Sequence, residues 1–340
     1  MNLRSAAIVL CAAGGSGLLV AAAALLLWVK SPQDVVQLRN SLLYEVAPEG
    51  AYDWTPAEVP QDFMLERAPA PHAVEAFARD ALRKSAGNSE FEKALQLSAA
   101  LVRNRTVDWR SDAEPIQADT QTTLTEISQQ GLGYCADYTQ VLMGLAHAAG
   151  IDIREWGMAF GAYGGEGHAF VEVYDHTLGK WVFLDPFFSF YVTNQAGVPL
   201  SAGEFREALL SGRAGETVHL LPIDAAKFGF KSPEHALKYY NRGAPRFYLW
   251  WGNNVFSYDA NPVVQRLGQG SRTAGQIAAI LLHVQPRLVL AQAYVDADAL
   301  GHLYLTRVVL YVAGVYSVLL VAGICLVPVA RRSGTHMREI

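Results

Sequence analysis

Residues 133–138 read Gly-Tyr-Cys-Ala-Asp-Tyr, residues 167–173 read Gly-His-Ala-Phe-Val-Glu-Val, and residues 181–186 read Trp-Val-Phe-Leu-Asp-Pro. In that order they supply a cysteine at the start of a helical pattern, a histidine opening a strand and an aspartate closing the next strand. Cys135, His168 and Asp185 have the types needed for an activated thiol: a nucleophile, its base and an orienting carboxylate. Each alone has a bland reading. A buried cysteine is often apolar filler, a strand histidine is usually packed, and Asp-Pro after a strand is usually a turn. The order and the setting together point to chemistry.

The helix start matters because unpaired N–H groups and the macrodipole favour a thiolate over a thiol. Gly131 and Gly133 let the backbone turn tightly before Cys135. Tyr138, Val141, Leu142, Leu145 and Ala149 form one stripe along residues 135–149, with Cys135 on its first turn and Gly150 as the stop. Asp137 is read as support for the helix start. Strands are expected at residues 153–160, 168–174 and 181–187. The glycine-rich stretch 161–167 joins the first two and suits a mobile loop beside a site.

The last two strands make a hairpin whose register can be tested. With residues 175–178 as a four-residue loop, Tyr174 pairs with Gly179. The same register sets His168 directly across from Asp185, Phe170 across from Phe183 and Glu172 across from Trp181. Opposed Cβ atoms lie about 5 Å apart, near enough for a carboxylate to hold an imidazole. Ala169, Val171, Val173, Val182 and Leu184 then form an apolar opposite face. A shift by one residue would send His168 and Asp185 to different faces.

These clusters resemble the transglutaminase-like superfamily, which shares its core with papain-like cysteine proteases. The resemblance covers residues 120–191. It implies an α+β fold in which a nucleophile helix packs on a small antiparallel sheet, and acyl transfer from an amide through Cys135, His168 and Asp185. Hydrolysis by a peptidase or amidase is the expected outcome, with cross-linking if an amine replaces water. The chain has no recognisable calcium-binding loop of the kind animal transglutaminases use, so calcium dependence is not expected. Neither a metal nor a cofactor is expected, since His72, His147, His176, His219, His235, His283 and His302 show no ligand spacing. For the oxyanion, the backbone N–H of Cys135 is the natural donor. Papain-like enzymes place a glutamine at a distance similar to that of Gln129 and Gln130; the other reading of this pair is an exposed helix end. Residues 131–136 also fit a dinucleotide fingerprint, but that motif needs a hydrophobic strand before it, and residues 122–130 are polar.

The bulk of the chain sets the context. With 340 residues it can bury one sizeable core, and a net charge of -5 gives no reason to expect a nucleic-acid partner. Residues 6–29 and 308–330 are apolar runs, each long enough for a bilayer core of about 30 Å. A signal peptide competes for the first run, which is longer than a usual h-region and lacks a convincing cleavage site. Arg331 and Arg332 close the second, and with Arg338 and Arg4 they favour cytoplasmic tails, although Lys30 and Arg39 blunt the signal. The expected organisation is a tail at residues 1–5, a transmembrane helix at 6–29 and a helical extension at 30–119. The core at 120–191, an extension at 192–307, a second transmembrane helix at 308–330 and a tail at 331–340 follow. Of three cysteines, only Cys135 lies in the large domain, so no disulfide framework exists there.

Residues 31–71 read as a tether and wrapping segment broken by prolines. Residues 73–84 and 91–102 show helical spacing, the second with Ser89 placed to cap it. Residues 122–130 and 202–210 are further helix candidates, and residues 234–240 a weaker one. The aromatic cluster at residues 247–258 is read first as core packing, with a binding groove or a membrane contact as alternatives. Residues 277–292 are apolar but interrupted by Pro286 and Arg287, too broken for a third span. The expected protein is a thiol enzyme of the bacterial inner membrane with its large domain in the periplasm and an envelope protein or peptide as substrate. The alternative is a non-catalytic assembly module of an envelope biogenesis or polysaccharide export complex.

Overall fold

The computed structural model describes residues 3–28, 32–48, 50–85, 88–105, 115–116, 118–291 and 295–336. Lys30, Arg338 and the outermost parts of both expected tails fall outside them. The helices are α1 (Leu3–Trp28), α2 (Pro32–Leu43), α3 (His72–Ala81), α4 (Glu90–Leu101), α5 (Thr120–Gln130), α6 (Cys135–Ala148), α7 (Ala202–Leu210), α8 (Ala214–Thr217), α9 (Pro233–Gly243), α10 (Val255–Asp259), α11 (Pro262–Gly270), α12 (Arg272–Leu281) and α13 (Ala297–His336). The strands are β1 (Tyr44–Ala47), β2 (Ile153–Ala159), β3 (Gly167–Asp175), β4 (Lys180–Asp185), β5 (Phe190–Asn194), β6 (Val218–Pro222), β7 (Phe247–Trp250) and β8 (Leu288–Ala291).

The chain divides into two compact units. One comprises Met1–Leu42, Gly161–Gly165 and Ala297–Ile340. Two of its helices, at Ser5–Leu25 and Ala297–Pro328, are long and apolar enough to cross a membrane. They pack closely through small residues: Gly14 meets the backbone of Leu320, Gly17 the ring of Tyr316, and Gly323 Cys11. The touching residues rise in residue number along α1 as they fall along α13, so the pair is antiparallel. Within this unit Asn40 donates to the carbonyl of Tyr163 and Gln37 to that of Gly164.

The other unit, Leu43–Phe160 with Glu166–Asp296, is built on a sheet of eight strands among the described residues. Their order is β1-β8-β7-β2-β3-β4-β5-β6. All neighbours run antiparallel except β1 and β8, which are parallel. The sheet is therefore larger than the small antiparallel one expected, and mixed at one edge. Within the expected tether and wrapping segment lie α2 and β1. Residues 277–281 end α12 and residues 288–291 form β8, with Arg287 at the break pairing with Glu45 and Asp62.

Apolar side chains cover both faces, the usual state of a sheet layered between helices. Val171, Val173, Val182 and Leu184 pack with Val141, Leu142 and Leu145 of α6 and with α3, α4 and α5. On the opposite face, Phe170, Phe183 and Phe190 pack with Phe205 of α7 and Tyr240 of α9. Phe247, Tyr248, Trp250, Trp251 and Phe256 are all buried, in line with core packing of that aromatic cluster.

Caps fix the helices around the sheet. Ser89 accepts from the N–H of Glu92, whose own carboxylate reaches back to the N–H of Ser89. Each such cap is worth about 1 kcal/mol. A second anchor joins β2 to β3. Arg154 and Glu172 pair at 2.7 Å with their side chains almost wholly buried. Glu172 also accepts from Trp156 Nε1 at 2.6 Å and from the Ala202 N–H at 2.6 Å, while the Arg154 guanidinium lies over Trp181 and Trp54.

Candidate active site

Cys135 opens α6. The chain leaves α5 at Gly131 with φ 69° and turns again at Gly133 with φ 91°, both in the left-handed region that glycine adopts without strain. A Cβ on Gly131 would lie 2.6 Å from the carbonyl oxygen of Asn104. The carboxylate of Asp137 accepts from the N–H groups of Tyr134 and Ile116 at 3.0 Å, holding the helix start as expected. Cys135 is half-buried against the apolar cluster that includes Tyr138, Val141, Leu142 and Leu145.

His168 and Asp185 meet as expected, although through a different register. The hairpin pairs Asp175 with Lys180, Tyr174 with Trp181 and Glu172 with Phe183. This is displaced by two residues from the expected pairing. The turn explains the slip: Gly179 takes φ 64° and donates its N–H to the Asp175 carbonyl. The Asp175 carboxylate also accepts from the N–H groups of Thr177 and Leu178. Asp175 thus stays in the ladder and Gly179 is drawn into the turn. A displacement of two conserves the face because side chains alternate with period two. One step beyond the last paired residues, Asp185 stands diagonal to His168 rather than opposite it.

The pair is tight and dry. His168 Nε2 lies 2.7 Å from Asp185 Oδ2, with side-chain exposures of 1% and 0%. The other carboxylate oxygen, Oδ1, accepts from the Phe188 N–H at 2.8 Å. With Nε2 held by the carboxylate, Nδ1 is the ring nitrogen left for a thiol, and Cys135 acts electrostatically on the same imidazole. Burial by itself pushes the imidazole pKa down. The negative field of Asp185, with a smaller one from Cys135, overcomes it and raises the value to about 10.

Aromatic rings enclose the imidazole. Phe188 stacks on it at 4.6 Å, and Tyr239 and Tyr240 meet it edge-on at 5.9 Å. Burial raises the Tyr239 phenol, and the charges of Cys135 and Asp185 raise it further. Arg105 lies behind, its guanidinium 4.0 Å from the ring of Phe187 and 5.7 Å from that of Tyr138. Burial pushes the Arg105 guanidinium pKa down, against the opposing pull of Tyr138 and Asp185. Gln129 and Gln130 are exposed on the last two positions of α5. Among the described residues no group of His, Cys, Asp and Glu has the arrangement of a metal site.

The residues that sequence reasoning missed are Tyr239, Tyr240, Phe188 and Arg105. The first two sat in a weak helix candidate, and no short-range pattern ties them to Asp185.

Residues 76–186 match the profile of the transglutaminase-like superfamily. The centre of this chain is similar to a transglutaminase-like core. The matched stretch runs from within α3 to one residue past Asp185, so it contains Cys135, His168 and Asp185 but not Tyr240. A crystal structure of a provisionally named cysteine protease from Cytophaga hutchinsonii is similar at 18% identity and a TM-score of 0.29. That match covers 52% of this chain and spans 55% of the other. No curated protein matches the chain.

Proposed function

We propose that this protein is a membrane-anchored thiol enzyme that cleaves amides by acyl transfer, with α1 and α13 as its anchors and the sheet unit on the periplasmic side of the inner membrane. The observation that carries the reading is the buried His168–Asp185 pair at 2.7 Å, with Cys135 at a helix start acting electrostatically on the same imidazole. The Cys135 thiolate attacks the carbonyl carbon. The C–N bond breaks as His168 gives its proton to the departing nitrogen, and Asp185 holds the imidazole in place. Water then attacks the thioester, its proton passes to His168, and a carboxylic acid leaves with the thiol regenerated. The proposed substrate is an envelope protein, peptide or peptidoglycan-linked amide, a class supported by the anchoring alone. No metal or cofactor enters these steps.

The test is the full chain in detergent, incubated with envelope peptides carrying scissile amides, beside Cys135→Ala. Release of amine and acid by the parent alone supports the enzyme. If Cys135→Ala retains full function in cells and the parent cleaves nothing, the assembly-module reading takes its place.

A further inference from the structure

Asp185 is held by more than His168. The hydroxyl of Tyr240 donates to Oδ2, the same oxygen that faces Nε2 of the imidazole, while Oδ1 takes the Phe188 N–H. Tyr240 is fully buried on α9, and it lies beyond the matched stretch of residues 76–186. Its ring is fixed by Phe205 at 5.4 Å, Phe190 at 5.6 Å and Phe183 at 5.9 Å. The helix itself is pinned: Ser232 caps its start, and Arg206 of α7 donates to the carbonyl of Ala244 just past its end at 2.7 Å. A phenol in such a place is a donor with one direction open to it.

We propose that Tyr240 is a positioning residue for the Cys135, His168 and Asp185 set, its hydroxyl fixing the plane of the Asp185 carboxylate so that Nε2 of His168 stays bound and Nδ1 stays turned to Cys135. The inference rests on the reading of Cys135 as nucleophile. A carboxylate bonded at both oxygens, and twice at Oδ2, cannot rotate without losing a buried charge-assisted bond. Burial raises the Tyr240 phenol well above its ordinary value, and Asp185 raises it further, so the proton stays on the tyrosine and the hydroxyl serves only as donor. The other groups facing the pair are Cys135 from α6, Tyr239 from α9 and Arg105 across the Phe187 ring. Tyr191 of β5, which packs against Phe91 on the opposite face of the sheet, is the control.

The experiment is the rate of Cys135 alkylation by iodoacetamide on the full chain in detergent, from about pH 5 to about pH 10. Labelling is assigned to Cys135 by peptide mass spectrometry, since Cys11 and Cys325 are also free. Tyr240→Phe is expected to label about tenfold more slowly near neutral pH, the loss of one charge-assisted hydrogen bond only partly made good. The second rise in rate, where His168 gives up its proton, should move about one unit toward lower pH, because a loosened carboxylate holds the imidazolium less well. Tyr191→Phe should follow the parent. Incorporation of 4-aminophenylalanine at position 240 keeps the ring, the fold and an N–H donor, and should restore the parent profile.

A Tyr240→Phe protein with a lowered melting temperature but an unchanged rate and profile would overturn the inference, leaving a structural anchor. So would a folded 4-aminophenylalanine protein that labels slowly. If the parent itself labels only with an ordinary thiol titration near about pH 8.5, the nucleophile reading fails and this inference falls with it.

Discussion

Replacing Asp185 by asparagine removes one negative charge and leaves the shape. The His168 ring is buried, and burial acting alone would hold it neutral; the carboxylate at 2.7 Å, with Cys135 adding less, lifts its pKa from 6.5 to about 10. A rise of that size is worth at most about 5 kcal/mol of preference for the charged ring. Because the folded value lies above the unfolded one, the stabilisation is complete below about pH 6.5 and drains away as the pH rises through about 10. In Asp185→Asn the balance inverts. The ring is neutral in the fold, and stability is lost instead as the pH falls below about 6.5, where the unfolded chain takes up a proton that the buried ring refuses. The assay is unfolding of parent and variant at matched pH values, read as the difference between them, so that groups titrating alike in both cancel. The gap should close by several kcal/mol between about pH 6 and about pH 10, and should widen further as the pH falls below about 6.5. Parallel curves for the two proteins across that window would refute the ion pair. Cys135 labelling at neutral pH should fall in the same variant, since an uncharged imidazole leaves the thiolate without its partner.

Arg154→Met should destabilise the protein by about 3–5 kcal/mol in urea unfolding, because Glu172 keeps its charge and its buried place with only the Trp156 and Ala202 N–H groups left. Adding Glu172→Leu should recover much of that loss. Gly131→Ala should cost about 1–3 kcal/mol, since φ is 69° there and the added methyl meets the Asn104 carbonyl; slower alkylation of Cys135 should accompany it. Gly323→Cys, in a background lacking Cys325, should bridge to Cys11 on mild oxidation, because the added Cβ lands beside that sulfur. Adding Gly17→Leu, whose side chain would meet the Tyr316 ring, should abolish the bridge.

The elements legible in the sequence are those whose cause is local. Ser89 with Glu92 marks the start of α4, and Gly150 closes the turn after α6; alternation through residues 168–174 marks β3. Each needs only neighbours within a turn or two of chain. The strands β1 and β8 had no such signal. They are four residues each, and Tyr44 finds Leu288 as its partner from the far end of the unit. The hairpin register failed for an intermediate reason. Alternation determines the face of His168 and Asp185 but cannot tell a register from one displaced by two, and a single left-handed glycine at position 179 decides between them.

The same division runs through the candidate site. Cys135, His168 and Asp185 fall within 51 residues, and a helix start, a strand start and a strand end are enough to suggest them from the sequence. What encloses them comes from the far side of the sheet. Phe188 follows β4 with its ring flat against the imidazole, while Tyr239 and Tyr240 arrive on α9 at its edge. These residues lie outside the stretch that matches the superfamily. Their effect on the pair is nonetheless large, because excluding water strengthens every charge interaction inside the site. An isolated 120–191 segment would carry all three reactive side chains yet leave His168 and Asp185 open to solvent, where a surface ion pair is worth only about 0–1 kcal/mol. The elevated histidine pKa therefore belongs to the full sheet unit, α7 and α9 included, and a fragment cut at the end of the matched stretch should lose it.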